Sequence, residues 1–134
     1  MLEKIYINEE YVALVVKKIR THKRIEFFTE SDDNLQVAAF SMNKDQKIQP
    51  HLHLNQKRII EGTNEVLFIQ EGELLVNFYK DKDKELIEKT ISLTEGDLIY
   101  FKGGIHGFEV GQNCRFIEIK QGPFIDGKDK IKLY

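Results

Sequence analysis

Histidine is the most informative residue type in this chain, because three of its four copies sit where a β fold could bring them onto one cation. His51 and His53 flank Leu52 in Pro50-His51-Leu52-His53. Residues two apart on a strand face the same side, so both imidazoles would point inward while Leu52 packs outward. His106 follows Lys102-Gly103-Gly104-Ile105, a turn whose glycines allow close backbone approach. Between them Glu65, in Asn64-Glu65-Val66-Leu67-Phe68-Ile69-Gln70-Glu71-Gly72, offers a carboxylate. Imidazoles and a carboxylate suit a divalent metal ion, with Fe, Mn, Zn, Co and Ni all compatible and water free to fill the remaining positions. Taken singly, each residue has a plainer explanation: a polar strand pair, a turn histidine, a solvated glutamate. Their joint pattern makes metal binding the expectation. His22, in a charged turn region, is expected at the surface.

The elements needed to position these groups are short and β-like. Lys23 to Phe28, Leu35 to Met42, Lys47 to Leu54, Asn64 to Gln70, Glu73 to Tyr79 and Leu86 to Leu93 read as strands. Leu98 to Phe101, Gly107 to Val110 and Arg115 to Lys120 complete the series. Polar or glycine-bearing joints separate several of them: Glu30 to Asn34, Glu71-Gly72-Glu73, Asp81 to Lys84 and Glu95-Gly96-Asp97. Such turns favour an antiparallel barrel or sandwich over a parallel α/β sheet. Glu9 to Arg20 fits a helical face through Tyr11, Val12, Val15 and Ile19, yet its valines also permit a strand. A polar tail from about Asp126 carries Ile131, Leu133 and Tyr134, which could dock at an edge or a subunit contact.

His51-Leu52-His53, then Glu65 and Gly72, followed by Gly96-Asp97-Leu98-Ile99-Tyr100-Phe101-Lys102-Gly103-Gly104-Ile105-His106, resembles the cupin family. The likeness spans about residues 35 to 120, within a single domain of residues 1–134. It implies an all-β, jelly-roll β-barrel. It also implies His51, His53, Glu65 and His106 as metal ligands, and a homodimer. Eleven residues, Leu54 to Asn64, separate His53 from Glu65 where the family has only a few. A longer surface loop can absorb them, and it makes Glu61 a rival to Glu65. Phe101 or Lys102 stands where the family commonly has proline.

With 134 residues, 41% apolar and 31% charged, the chain can bury one core and fits a folded domain. Its net charge of -2, with lysines and acids intermixed, argues against nucleic acid as a partner. No apolar run approaches a membrane span, and the amino terminus lacks a signal-peptide pattern, so cytoplasmic location is expected. Cys114, the single cysteine, reads as packing. Phe116, Glu118 and Lys120 share one strand face. If that face is inward, Glu118 is the general-base candidate and Lys120 an anion binder, with Tyr79 and Tyr100 near the mouth. The expected function is therefore a metal-dependent enzyme acting on a polar or anionic small molecule, for which the resemblance permits an isomerase or a dioxygenase. A non-catalytic metal- or carbohydrate-binding module is the alternative.

Overall fold

The computed structural model describes residues 1–134 and is all-β, without a helix. Its strands are β1 (Leu2–Ile7), β2 (Glu10–Val16), β3 (Ile25–Phe27), β4 (Ala38–Phe40), β5 (Glu65–Asp81), β6 (Lys84–Thr94), β7 (Leu98–Phe101) and β8 (Ile105–Lys120). The ambiguous early stretch is thus a strand. Its valines face both sides of a sheet, and burial on both faces outweighs the helical spacing. β1, expected as no element, pairs antiparallel with it. No helix is long and apolar enough to cross a membrane.

The main sheet runs β1-β2-β7-β5-β6, with β8 on the other edge of β5, and it curls into a half-barrel. The curl comes from one ribbon. The first residues of β5, Glu65 to Phe68, pair with β7, and its later residues, from Glu73, pair with β6. Along the opposite edge β8 accompanies β5 from Glu65↔Lys120 to Tyr79↔Ile105. The two strands expected, one on each side of Gly72, are therefore one strand, and two expected near the carboxyl end are also one. Gly72 bends the ribbon instead of ending it. Its φ is +82°, and a Cβ there would lie 1.9 Å from the Asn113 carbonyl oxygen, so only glycine fits. Register shifts between Ile69 and Leu74 accompany the bend.

Between the folded halves lies the main core, built around Ile5, Val15, Leu67, Ile69, Leu74, Phe78, Ile99 and Phe101. The outer face of β2, β7 and early β5 is apolar too. There Leu14, Val16, Val66, Leu98 and Tyr100 are covered by Ile19, Phe28, Leu35 and Val37. The side of the half-barrel away from β8 is drawn together by side chains. Lys89 Nζ reaches Glu3 Oε1 at 2.9 Å, and Lys17 Nζ donates to the Ser92 carbonyl and to Asp97 Oδ2.

Asp97 is fully buried in the turn after β6. Its carboxylate accepts from the amides of Thr94 and Lys18, each at 2.8 Å, as well as from the Lys17 ammonium. Burial would raise its pKa, but these donors outweigh burial and hold it below the usual aspartate range. A depressed folded-state value means that this carboxylate stabilises the protein above the unfolded aspartate pKa. The contribution is lost as pH falls through the folded value.

One expected strand is missing. Lys47 to Leu54 forms none, and every residue from Asn43 to Thr63 is exposed. Pro50 lacks an amide donor, and none of the other strands offers this stretch a paired edge.

Two stability tests follow from these constraints. Gly72→Ala should cost about 3 kcal/mol in urea unfolding, because strain and overlap add. Gly103→Ala, with open space around it, should change stability by less than about 0.5 kcal/mol. Asp97→Asn should lower stability by roughly 2–4 kcal/mol at neutral pH and flatten the acid limb of a stability-versus-pH curve. An unchanged acid limb would remove Asp97 from that role.

Candidate functional site

Folding the β5–β8 ribbon brings together groups that are far apart along it. His106 is directly opposite Phe78 on β5, thirteen residues beyond Glu65. A straight strand would separate the two by roughly 40 Å. Here His106 Nε2 donates to Glu65 Oε1 at 2.8 Å. Both side chains are mostly buried, 22% and 14% exposed.

Each partner is fixed from behind. The turn before β8 is tied down by Lys102 N and Gly103 N, which donate to the Val12 carbonyl at 2.8 and 3.3 Å. The His106 ring stacks on Phe101 with centroids 4.1 Å apart. Glu65 is placed by Asn64, a buried amide whose Nδ2 donates to Lys102 O at 3.0 Å. Asn34 Nδ2 donates to Asn64 Oδ1 at 2.9 Å, and Asn64 N donates to Gln121 Oε1 at 2.9 Å. Sequence reasoning passed over Asn64. The available signal was an amide at a strand entry, immediately before a candidate site residue.

Cross-strand register puts Leu67 opposite Glu118 and Glu65 opposite Lys120, so both β8 residues share the inner face with Glu65. A cleft of about 960 Å³ opens there, lined by Glu65, Tyr79, His106, Phe108, Glu118 and Lys120 on one side. The carboxyl-terminal segment Lys128 to Tyr134 forms the other wall. Lys120 Nζ holds Asp129 Oδ2 at 3.1 Å, and the Tyr134 ring packs on Tyr79 with centroids 5.6 Å apart. The tail thus docks beside the cleft. Lys128, Lys130 and Lys132 recur at every second position and, with Lys82 and Lys120, give the cleft five cationic groups.

Glu65 and Glu118 titrate in opposite directions. The hydrogen bond from His106, foremost, holds the Glu65 carboxyl below its ordinary range against the effect of burial; hydrogen bonding with Glu118 and the positive charges nearby act the same way. For Glu118 the hydrogen bond to Glu65 comes first, and burial and the Glu65 charge add to it. All three push its pKa up, so Glu118 keeps a proton longer than an ordinary glutamate. His106 Nδ1 is buried and has no hydrogen-bond partner.

The remaining sequence candidates are elsewhere. His51 and His53 are exposed in the strandless segment, with ring centroids 5.2 Å apart, and His51 Nδ1 lies 2.9 Å from the Gln49 carbonyl. They do not face the cleft, because the strand that would have aimed them inward is not formed. Glu61 is exposed in the same segment. Tyr100 is buried on the opposite face of the sheet, packed with Val66 and Leu98, and does not line the cleft. No three His, Cys, Asp or Glu side chains are placed to hold one ion. The residues as arranged therefore do not fit a four-ligand metal centre, although His106 and Glu65 would supply two of its donors.

Compared with known proteins, the chain matches no family model, no curated protein and no solved structure.

In the metal-free protein, carbon-13 carboxyl titration should find Glu65 and Glu118 on opposite sides of the ordinary glutamate pKa. Glu118→Ala should raise the Glu65 value. Two ordinary, independent titrations would show that the carboxyls do not interact.

Proposed function

We propose that this protein is an enzyme that moves a proton on a small anionic molecule bound in the cleft. One observation carries the reading: a mostly buried imidazole and carboxylate meet at 2.8 Å, in a cleft that also presents a second carboxyl and a lysine. Isolated surface charges do not converge in this way. Glu65, held ionised chiefly by the hydrogen bond from His106 Nε2, accepts a substrate proton, and His106 keeps that carboxylate oriented. Glu118, whose carboxyl is pushed toward its protonated form, returns a proton to the substrate. Lys120 and the tail lysines attract a carboxylate or phosphate group, and Phe108 supplies an apolar wall that keeps water from part of the cleft. Acid and base side by side suit isomerisation by proton transfer, the reaction class this arrangement supports best.

A second reading, a metal-dependent enzyme of the cupin type, is favoured by a specific contact. Glu65 and His106, two of the four residues the resemblance nominates, meet although they belong to opposite ends of a folded ribbon.

Chemical-shift mapping against a panel of small carboxylates and phosphates should move the signals of His106, Glu118 and Lys120 together. Lys120→Ala should weaken the best ligand about tenfold, the loss of roughly 1.4 kcal/mol. His106→Ala should lower turnover by about 10² to 10⁴ without loss of fold. Ligands that bind without disturbing these three signals would defeat the proposal. Elemental analysis after native purification separates the two readings: stoichiometric metal lost on Glu65→Gln but kept on Glu61→Gln would favour the second.

A further inference from the structure

Two parts of this chain lack what a folded β protein normally provides, and each has what the other needs. β8 is paired on one edge only, with β5. It has nevertheless the composition of an interior strand. Phe108, Val110 and Phe116 on its inner face, and Ile117 and Ile119 on its outer face, are all large, apolar and at least 39% exposed. A long apolar strand with a free edge invites pairing, and proteins ordinarily cover or charge such edges. The segment from Ile48 to Thr63, conversely, makes no backbone–backbone hydrogen bond at all. Structureless stretches of this length are uncommon inside a compact domain. Leu52, Leu54 and Ile59 on it are 86%, 78% and 84% exposed.

The two also match in pattern. The segment alternates His51, Leu52, His53, Leu54, and late β8 alternates Glu118, Ile119, Lys120 after Phe116 and Ile117. Laid edge to edge, one face of the pair would be leucine against isoleucine and the other imidazole against carboxyl. A shift of one residue would exchange the faces, so the pairing defines its own register.

We propose that the His51–Leu54 stretch of a second copy of this chain lies along the free edge of β8, in a reciprocal exchange between two molecules. Within one molecule the two ends of the segment are held by different parts of the fold. Its start is held by Arg24 Nη2 on the Lys47 carbonyl at 3.0 Å, beside the β3–β4 hairpin, which forms a separate two-stranded sheet. Near β8 its own end is tied by Asn64 to Gln121. A two-fold exchange satisfies both copies at once and closes the assembly at two chains. Each copy both gives and receives a strand, so the buried surface is doubled relative to a one-way contact. It also brings two imidazoles of one copy to the cleft of the other, beside Glu118, so that the site is composite. The inference stands on the edge and the segment alone, and does not depend on the reaction proposed above.

Two singly substituted chains test it, one with Leu52→Cys and one with Ile119→Cys, both carrying Cys114→Ser. All three are exposed or only partly buried positions, so the fold should tolerate them. Mixed, refolded together and mildly oxidised, they should give a disulfide-linked heterodimer. Light scattering of the unsubstituted chain should give a dimer mass. Leu52→Glu with Leu54→Glu should weaken that dimer roughly hundredfold, a loss of about 2.8 kcal/mol, with unchanged circular dichroism. A doubly substituted Leu52→Cys, Ile119→Cys chain that closes its disulfide only within one molecule would overturn the proposal in favour of docking onto the same chain. Monomer mass at all concentrations, or a dimer without the cross-link, would overturn it as well.

Discussion

Everything distinctive about this molecule follows from the way β5 is held and bent. A strand of 17 residues hydrogen-bonded along both edges has no freedom to drift, so its direction dictates where its neighbours go. β7 takes the first half of one edge and β6 the second, while β8 keeps to the other edge throughout. Because the outer strands change where β5 bends, the single ribbon belongs to two facing layers. The bend depends on an atom-level constraint: a side chain at Gly72 would collide with the Asn113 carbonyl. Straightened there, the ribbon would carry Glu65 and His106 apart, and the cleft would cease to exist. Fold and site thus share a single point of failure.

The opposite side of the half-barrel is secured by different physics. Asp97 is a buried charge, and a buried charge is tolerated only when its acceptor positions are filled. Thr94, Lys18 and Lys17 fill them from the β6–β7 turn and from the end of β2, so the carboxylate ties these elements into one corner. Backbone bonds from Ile69 N to Asp97 O and from Gly96 N to Ile69 O, both 2.9 Å, attach the same corner to β5. That corner is polar and tightly satisfied. The β8 side is apolar, with an unpaired edge. The asymmetry explains why the half-barrel opens where it does: one side is locked by directional bonds, and the other leaves an apolar strand edge exposed.

Much of this was legible in the residues, for reasons that can be traced. Short β-branched runs separated by polar turns indicated an all-β fold, and the Asp81 to Lys84 joint became the hairpin it resembled. Alternation placed Phe116, Glu118 and Lys120 on one face, and the register puts that face inward. Gly72 was read as a turn because glycine permits positive φ, and it does adopt that conformation. What local sequence could not reveal is that both neighbouring strands continue through it, since continuity depends on pairing with distant β8. His51 and His53 show the same limit more sharply. Their alternation is real, but alternation becomes a strand only when an edge is available to pair with, and here none is taken up within the chain. Asn64 was passed over because its importance arises from Asn34, Lys102 and Gln121, residues near it only after folding.

The chemistry of the cleft also depends on this asymmetry between a locked side and an open one. Two carboxyls at ordinary exposure would both be ionised at neutral pH and would repel one another. Glu65 lies deeper and takes a hydrogen bond from His106, which holds its pKa down, while Glu118, nearer the rim, bears the cost of proximity as an upward shift. Depth therefore separates the two: the inner carboxylate is bonded to an imidazole, and the outer carboxyl faces the open cleft. If the rim were shielded from water by added chain along β8, the effective dielectric would fall and the same hydrogen bonds would strengthen. Burial would push the Glu118 pKa further upward, and the contrast between the two carboxyls would grow. Covering that edge would thus bear on more than stability, because it would widen the contrast between the two carboxyls.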